Sequence, residues 1–331
     1  MNSHLYKRSL LWIGISLILV LLLSVFIGRY PSPYWMAPSL LLNDSFAQKI
    51  VFLLRLPRLF TALLLGMTLS ACGSVLQMIF RNPLVEPGFL GISQGAAFGA
   101  AFSILLLGRS PLVIEISATI FALLGLFLSY QLANRLRFGG WVLRLVLSGI
   151  ATSALFSAGI GILKFMADPL TELPEITFWL LGGLWGVTWS DLIYLLPFVI
   201  PGLVIAFLMR WRLNVLSLND ETASSLGVLP GRERTFLLVA IVTATAAVTS
   251  VSGVVSWVGL IIPHIARRWF GASGRFSLPG AMLLGGIFTV LCDNVSRSLM
   301  AGEIPLGILT SLFGALIFIY LMTYLGKQFR P

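Results

Sequence analysis

The chain alternates between long apolar runs and short polar breaks rich in Gly, Pro and Arg. Crossing a bilayer as a helix takes about 20 mainly apolar residues. On that measure spans are predicted near 10–27, 60–80, 89–107, 112–132, 143–165, 192–209, 236–251, 254–265, 281–299 and 306–324. The seventh and eighth are short and separated only by Ser252-Gly253, so hydropathy alone leaves nine or ten spans. Pro174 to Leu184 is apolar but too brief to cross, and reads as a re-entrant or interfacial helix, tolerated where protein buries it. The first run follows Lys7 and Arg8, as a secretory leader would. It is longer than a leader's apolar core, however, and Gly28-Arg29-Tyr30 follows instead of a small-x-small site, so it reads as a retained span.

Composition fixes the solvent. Of 331 residues 58% are hydrophobic and 10% charged, against about 25% charged in ordinary soluble domains. The fold class expected is an all-α polytopic membrane protein, one transmembrane domain over 1–331 with about ten helices. Its longest polar stretches are 28–59, 166–191 and 210–235. The net charge of +10 sits in short loops between apolar runs, which suits membrane orientation rather than nucleic acid. With ten spans and a cytoplasmic N-terminus, both termini are cytoplasmic, and Lys and Arg divide 15 inside to 7 outside. Nine spans would put the last five of the inside cations partly on the wrong face, so the positive-inside bias selects ten.

Several chemistries find no support. No G-x-x-x-x-G-K-[ST] phosphate loop, H-E-x-x-H or G-x-S-x-G occurs, so neither ATP binding by that loop nor those hydrolases are indicated. Cys72 and Cys292 lie in apolar runs and read as small buried hydrophobes. His4 and His264 are too few and too distant for a metal site, and His264 reads as a hydrogen-bonded helix-end residue. No ionisable residue falls mid-span; Arg144, Lys164 and Asp293 lie near span ends. That counts against an ion-coupled secondary carrier, the rival from another class, and the lack of a catalytic pair counts against an intramembrane enzyme.

Four segments carry candidate chemistry. Residues 81–95, Arg-Asn-Pro-Leu-Val-Glu-Pro-Gly-Phe-Leu-Gly-Ile-Ser-Gln-Gly, are expected to form a Pro-broken polar turn at a membrane surface. A second hinge is expected around Gly253 and Gly259 to Arg267. Asn82, Pro83, Gly253 and Pro263 are the hinge candidates, and the ten-residue spacings Gly73–Pro83 and Gly253–Pro263 suggest an inverted internal repeat, a transporter device. In the loop Leu218–Gly227, Asn219 or Asp220 can cap a short helix that Gly227 ends, with Glu221 in its first turn and Ala223 and Leu226 on one side. Such a helix is either an ordinary surface element or a docking knob for a partner. On the outside, Arg55, Arg58 and Arg297 are candidates for meeting a partner's carboxylates, the alternative being interfacial anchoring or a local pair such as Asp293 with Arg297. Glu303 is expected in the first turn of the last span, and Phe178, Trp179, Trp185 and Trp189 in an interfacial belt or a pore mouth.

Arg55-Leu-Pro-Arg58, Arg81–Gly88, Leu90–Gly95, Ala223–Gly227, Val258–Arg267 and Glu303–Thr310, in that order, resemble the FecCD permease family over roughly 50–327. These are membrane subunits of type II ABC importers for iron-siderophores, haem and vitamin B12. The resemblance implies a homodimer in a bacterial or archaeal cell membrane (the inner membrane where there are two), with the path at the dimer interface. It implies two ATP-binding cassette subunits, which bind the ATP and Mg, docked on the helix about 219–227; this chain would bind no cofactor itself. It implies a periplasmic or lipid-anchored binding protein whose acidic residues meet Arg55, Arg58 and Arg297. Ferric siderophore is the expected cargo, with haem, cobalamin and molybdate as alternatives. Asn219 departs from the Gly frequent there, and Trp257 from the commoner Phe.

Overall fold

A computed structural model describes residues 3–300 and 302–325. The chain builds helices α1 (Ser3–Phe26), α2 (Ser45–Ile79), α3 (Ile92–Leu107), α4 (Pro111–Arg135), α5 (Trp141–Met166), α6 (Glu172–Leu181) and α7 (Trp189–Leu216). It continues with α8 (Asp220–Ser225), α9 (Pro230–Ser252), α10 (Val258–Phe270), α11 (Gly274–Ser298) and α12 (Leu306–Leu325). Eight helices are long and apolar enough to cross a membrane. A shorter apolar helix, α3, joins them, and the 13-residue α10 stands where the eighth of the ten spans was expected. A two-residue antiparallel pairing, Ile27–Gly28 with Tyr34–Trp35, tucks in the segment after α1.

Polar contacts at helix ends sort the ends into two faces. On one, Arg29 reaches Ser298, Arg109 reaches Glu172 and Trp189 Nε1 donates to Phe52 O. On the other, Tyr6 stacks on Phe276, Phe80 on Trp141, and Arg275 lies over Trp211. Helix α12 starts at the first face, where Gly307 N donates to Gly182 O. At 1.5 Å per residue it is long enough to reach the second, so the start of α1 and the end of α12 share a face.

The core is built from α2, α9 and α11, whose apolar windows are 78%, 67% and 61% buried, against 11% for α1 and 28% for α12. These helices pack closely because their contact faces are small. A Cβ on Gly66 would fall on the Gly285 carbonyl oxygen, and one on Gly73 on that of Gly259. Between apolar helices, close backbone approach maximises dispersion contacts that lipid would otherwise supply. Some buried hydroxyls return to their own helix, as Thr61 does to Pro57 O and Thr245 to Ile241 O, both at 2.8 Å. No water is needed to satisfy them.

Three boundaries differ from the sequence reading. Helix α2 begins at Ser45 rather than near residue 60, with Asp44 capping Phe46 N and a π turn over Ile50–Arg55. The polar Lys49 and Arg55 had argued for a loop there, but Arg55 is buried against the chain following α1. The 81–95 segment is only partly a surface turn. From Arg81 it climbs back inside the protein, so that Pro87 meets Gly259 beside Leu69, ten residues above the end of α2 and thus about 15 Å deep. The proposed repeat spacing joins unlike positions: Pro83 is exposed in a turn, whereas Pro263 is buried inside α10. The break before α10 falls at Gly253 (φ 66) to Trp257 (φ 73), whereas Pro263 lies within the helix.

Candidate functional site

On the second face, α8 forms where the sequence placed it. Gly227 adopts φ 76; its N–H donates to Ser224 O at 3.0 Å, and Val228 N donates to Ala223 O at 3.2 Å. This is the left-handed C-cap that glycine permits. Asn219 is the N-cap residue, yet its side chain makes no capping bond. Its Oδ1 instead accepts from Arg81 Nη1 at 2.7 Å, and Arg81 Nη2 donates to Leu218 O at 2.6 Å. From the other side the buried Arg234 donates to Leu216 O at 2.7 Å and Asp220 Oδ1 at 2.6 Å. Two arginines therefore hold α8 rigidly against the bundle. Ala223 and Leu226 do not share a side as expected: Ala223 is fully buried, while Leu226 is 59% exposed beside exposed Glu221 and Leu229. Six residues make too few turns for a face to persist, and the capping turn at Gly227 swings Leu226 outward.

Inward from Arg81, the re-entrant segment is pinned by Gln77. Its Nε2 donates to Val85 O at 3.2 Å, Gly259 O at 3.3 Å and Leu260 O at 3.2 Å, and its Oε1 accepts from Arg267. Glu86 follows, its carboxylate near the Trp257 N–H, where the chain turns left-handed into α10. Glu86 lines a cavity of about 310 Å³ with Ser93, Gln94, Ser153, Ser256 and Leu69. The sequence reading found no ionisable group mid-span. This carboxylate reaches that depth on a segment between spans, which a hydropathy window cannot register. His264 Nδ1 lies 3.1 Å from Leu260 O, a hydrogen-bonding contact as expected, but α10 continues to Phe270 and so His264 is mid-helix rather than at a helix end.

At the first face the three candidate arginines do converge, but they are recessed. Arg58 Nε donates to Asp293 Oδ1 at 2.8 Å, and its Nη1 to both Glu303 oxygens at 2.9 and 2.7 Å. Arg297 Nη2 donates to Ser24 O and Asn294 Oδ1, both at 2.6 Å, and its Nε stands 3.6 Å from Asp293 Oδ2. Arg55, 6% exposed, donates to the carbonyls of Val25 (2.9 Å) and Tyr30 (3.3 Å) and to the Met36 sulfur (4.0 Å), and meets no carboxylate among the described residues. Fully outward guanidiniums were expected, but α2 and α11 pack so closely that the side chains turn inward to each other's polar groups. Glu303 precedes α12 and answers Arg58, rather than sitting in the first helical turn. An opening of about 420 Å³ is lined by Arg29, Arg55, Arg58, Arg297 and Glu303. With Asp293 behind it, the cluster holds four guanidiniums and two carboxylates.

Among the described residues no group of three or more His, Cys, Asp and Glu is placed to hold a metal. The arrangement has a helical bundle, a clamped knob on one face, a cationic opening on the other, and a polar cavity between them. Those are the parts of a membrane transport protein.

Residues 16–324 match the FecCD transport family. The chain belongs to that family, as a multi-pass permease and not an enzyme. It is 37% identical to the molybdate import system permease protein MolB of Haemophilus influenzae, over 96% of each chain. It is 41% identical to a probable iron chelatin transport system permease protein of Helicobacter pylori, over 82% of each. Against the hemin transport system permease protein HmuU of Yersinia pestis it is 36% identical, over 83% of each. A solved metal-chelate type ABC transporter in an inward-facing conformation superposes with a TM-score of 0.88 at 36% identity, covering 96% of this chain and 99% of that one.

Proposed function

We propose that this chain is the membrane-spanning subunit of an ATP-driven importer for a metal chelate, acting as a homodimer with two separate ATPase subunits. The observation that carries the reading is α8. A six-residue helix clamped by Arg81 and Arg234, offering Leu226, Leu229 and Glu221 outward, has no role in the bundle itself. It is built to be pushed by something else. The ATPases bind ATP and Mg; motion of α8 passes through Arg81 to the re-entrant segment that leads to the cavity. Such switching requires the partners to bind the two states of the bundle unequally. The division of cations between loops supports cytoplasmic termini. Ferric siderophore is the cargo we favour, with haem, cobalamin and molybdate next.

A mild-detergent pull-down of the chain from its host, with mass spectrometry, tests the reading directly. A stoichiometric ATPase subunit is expected; reproducible recovery alone, where a known ABC complex survives, would overturn it. Leu226→Asp is expected to weaken ATPase association at least about tenfold by putting a desolvated charge at the contact, while leaving the chain's thermal stability in detergent unchanged. An unaltered affinity would remove α8 from the interface.

The cationic opening suits acidic residues of a periplasmic or lipid-anchored binding protein, because Arg55 has no carboxylate partner and the cluster carries excess positive charge. Arg58 and Arg297 are poor test positions, since changing them breaks internal pairs. Arg29 is exposed with one long internal bond of 3.4 Å. Arg29→Glu is therefore expected to slow binding-protein association several-fold at low salt, an effect that fades as salt rises. Equal on-rates at low salt for wild type and variant would count against docking here. An ion-coupled carrier is the second reading, favoured by Glu86 alone; uptake driven by an ion gradient in vesicles without ATP would select it.

A further inference from the structure

The Glu86 cavity differs from the rest of the interior. It is bounded by the re-entrant segment, by α5 through Ile150 and Ser153, and by the extended link Val254–Ser256 before α10. Its polar side chains are one carboxylate, three serines and one glutamine, and no cation lines it. The Glu86 carboxylate lies in the cavity lining near the start of α10. A carboxylate has about four lone-pair sites and is acceptor-only when ionised, so it has acceptor capacity to offer the cavity. Ser153 donates to Gly88 O at 3.3 Å, which leaves its own oxygen as a further acceptor. The cavity thus offers acceptors and negative charge, and nothing that would neutralise an entering anion.

Size limits the occupant. At about 310 Å³ the space lies at the small end of ligand sites, enough for one arm of a chelate and not for the whole. Exposed Ile150 and Phe89 are part of its lining, so the cavity is a notch that reaches the protein's surface. We propose that this cavity is a cargo-contact site, with Glu86 the acceptor for a hydrogen-bond-donating or cationic arm. The path then favours chelates carrying such groups over naked oxyanions. The inference rests on the importer reading and names the cargo class within it.

Thiol chemistry on this chain alone tests the site without any partner. In a Cys72→Ala, Cys292→Ala background in lipid vesicles, Ser153→Cys is treated with a cationic aminoethyl or an anionic sulfonatoethyl methanethiosulfonate. The cationic reagent is expected to be favoured at least tenfold over the ratio for a free thiol in solution. Glu86→Gln should return the ratio to that of the free thiol. Millimolar ferrioxamine B, a ferric trihydroxamate with a protonated amine arm, should slow the cationic reaction several-fold, and molybdate should not. Ser256→Cys repeats the measurement from the opposite wall. A ratio indifferent to Glu86, protection by molybdate, or no reaction at either position would overturn the proposal. None of these results depends on an ATPase, so the importer reading stands or falls separately on the pull-down.

Discussion

Arg58→Ala is expected to destabilise the protein by about 3–5 kcal/mol, the usual consequence of removing one partner of a buried ion pair. Asp293 has a side chain 1% exposed and takes its close contact from Arg58; its other oxygen has only Arg297 at 3.6 Å. Glu303 loses both of its bonds at once. The loss also releases the 299–305 connection, because Arg58 ties α2 to α11 and to the start of α12 together. Thermal unfolding in detergent measures it. Arg58→Lys should fall between, since an ammonium keeps the charge but cannot span Asp293 and Glu303 as a fork does. Pairing Arg58→Met with Asp293→Asn should recover much of the loss, because no bare charge then remains. A Tm for Arg58→Ala equal to wild type would mean the three carboxylate contacts are not made in the membrane protein.

Gly285→Val should prevent folding outright. A Cβ at this position would land on Ser70 Oγ and the Gly66 carbonyl oxygen, and Gly66 meets Gly285 reciprocally. Overpacking costs about 1–3 kcal/mol where side chains can yield. Here the obstacle is backbone on both helices, so α2 and α11 must separate along their whole contact. Because these helices form much of the core and carry Arg58, Asp293 and Arg297, their separation would also undo the cationic opening. The yield of monodisperse protein after size exclusion is the readout. Gly14→Ala, where nothing lies within 4 Å, is the matched control and should be neutral. Folding of Gly285→Val to wild-type yield would show that the close approach is not needed.

The sequence reached different depths in different elements. Helix α8 was legible because its signals are local: Asn219 before it and the left-handed Gly227 after it. Spans α4 and α5 were found within three residues of their ends for the same reason, an apolar run bounded by polar or Pro residues. The start of α2 was missed because Lys49 and Arg55 look like loop residues; only the carbonyls of Val25 and Tyr30 make Arg55 acceptable in a helix wall. The face of Leu226 was misjudged because the direction of so short a helix is set by Arg81 and Arg234, distant in the chain.

What the sequence determined by itself was the solvent, the crossing elements, the loops that carry the cations and the family. Each is a sum of local free energies, and local patterning is what a sequence displays. Tertiary structure decided the rest. It turned Arg58 and Arg297 inward to Asp293, gave Asn219 to Arg81 rather than to its own helix, and carried Glu86 to mid-depth. The inward turn of Arg58 follows from α2 and α11 closing on Gly66 and Gly285, whereas the exposed Asn219–Arg81 bond follows from where α8 sits. Once two backbones touch, a charged group beside them has no route to water and must find its partner in a chain segment some two hundred residues away.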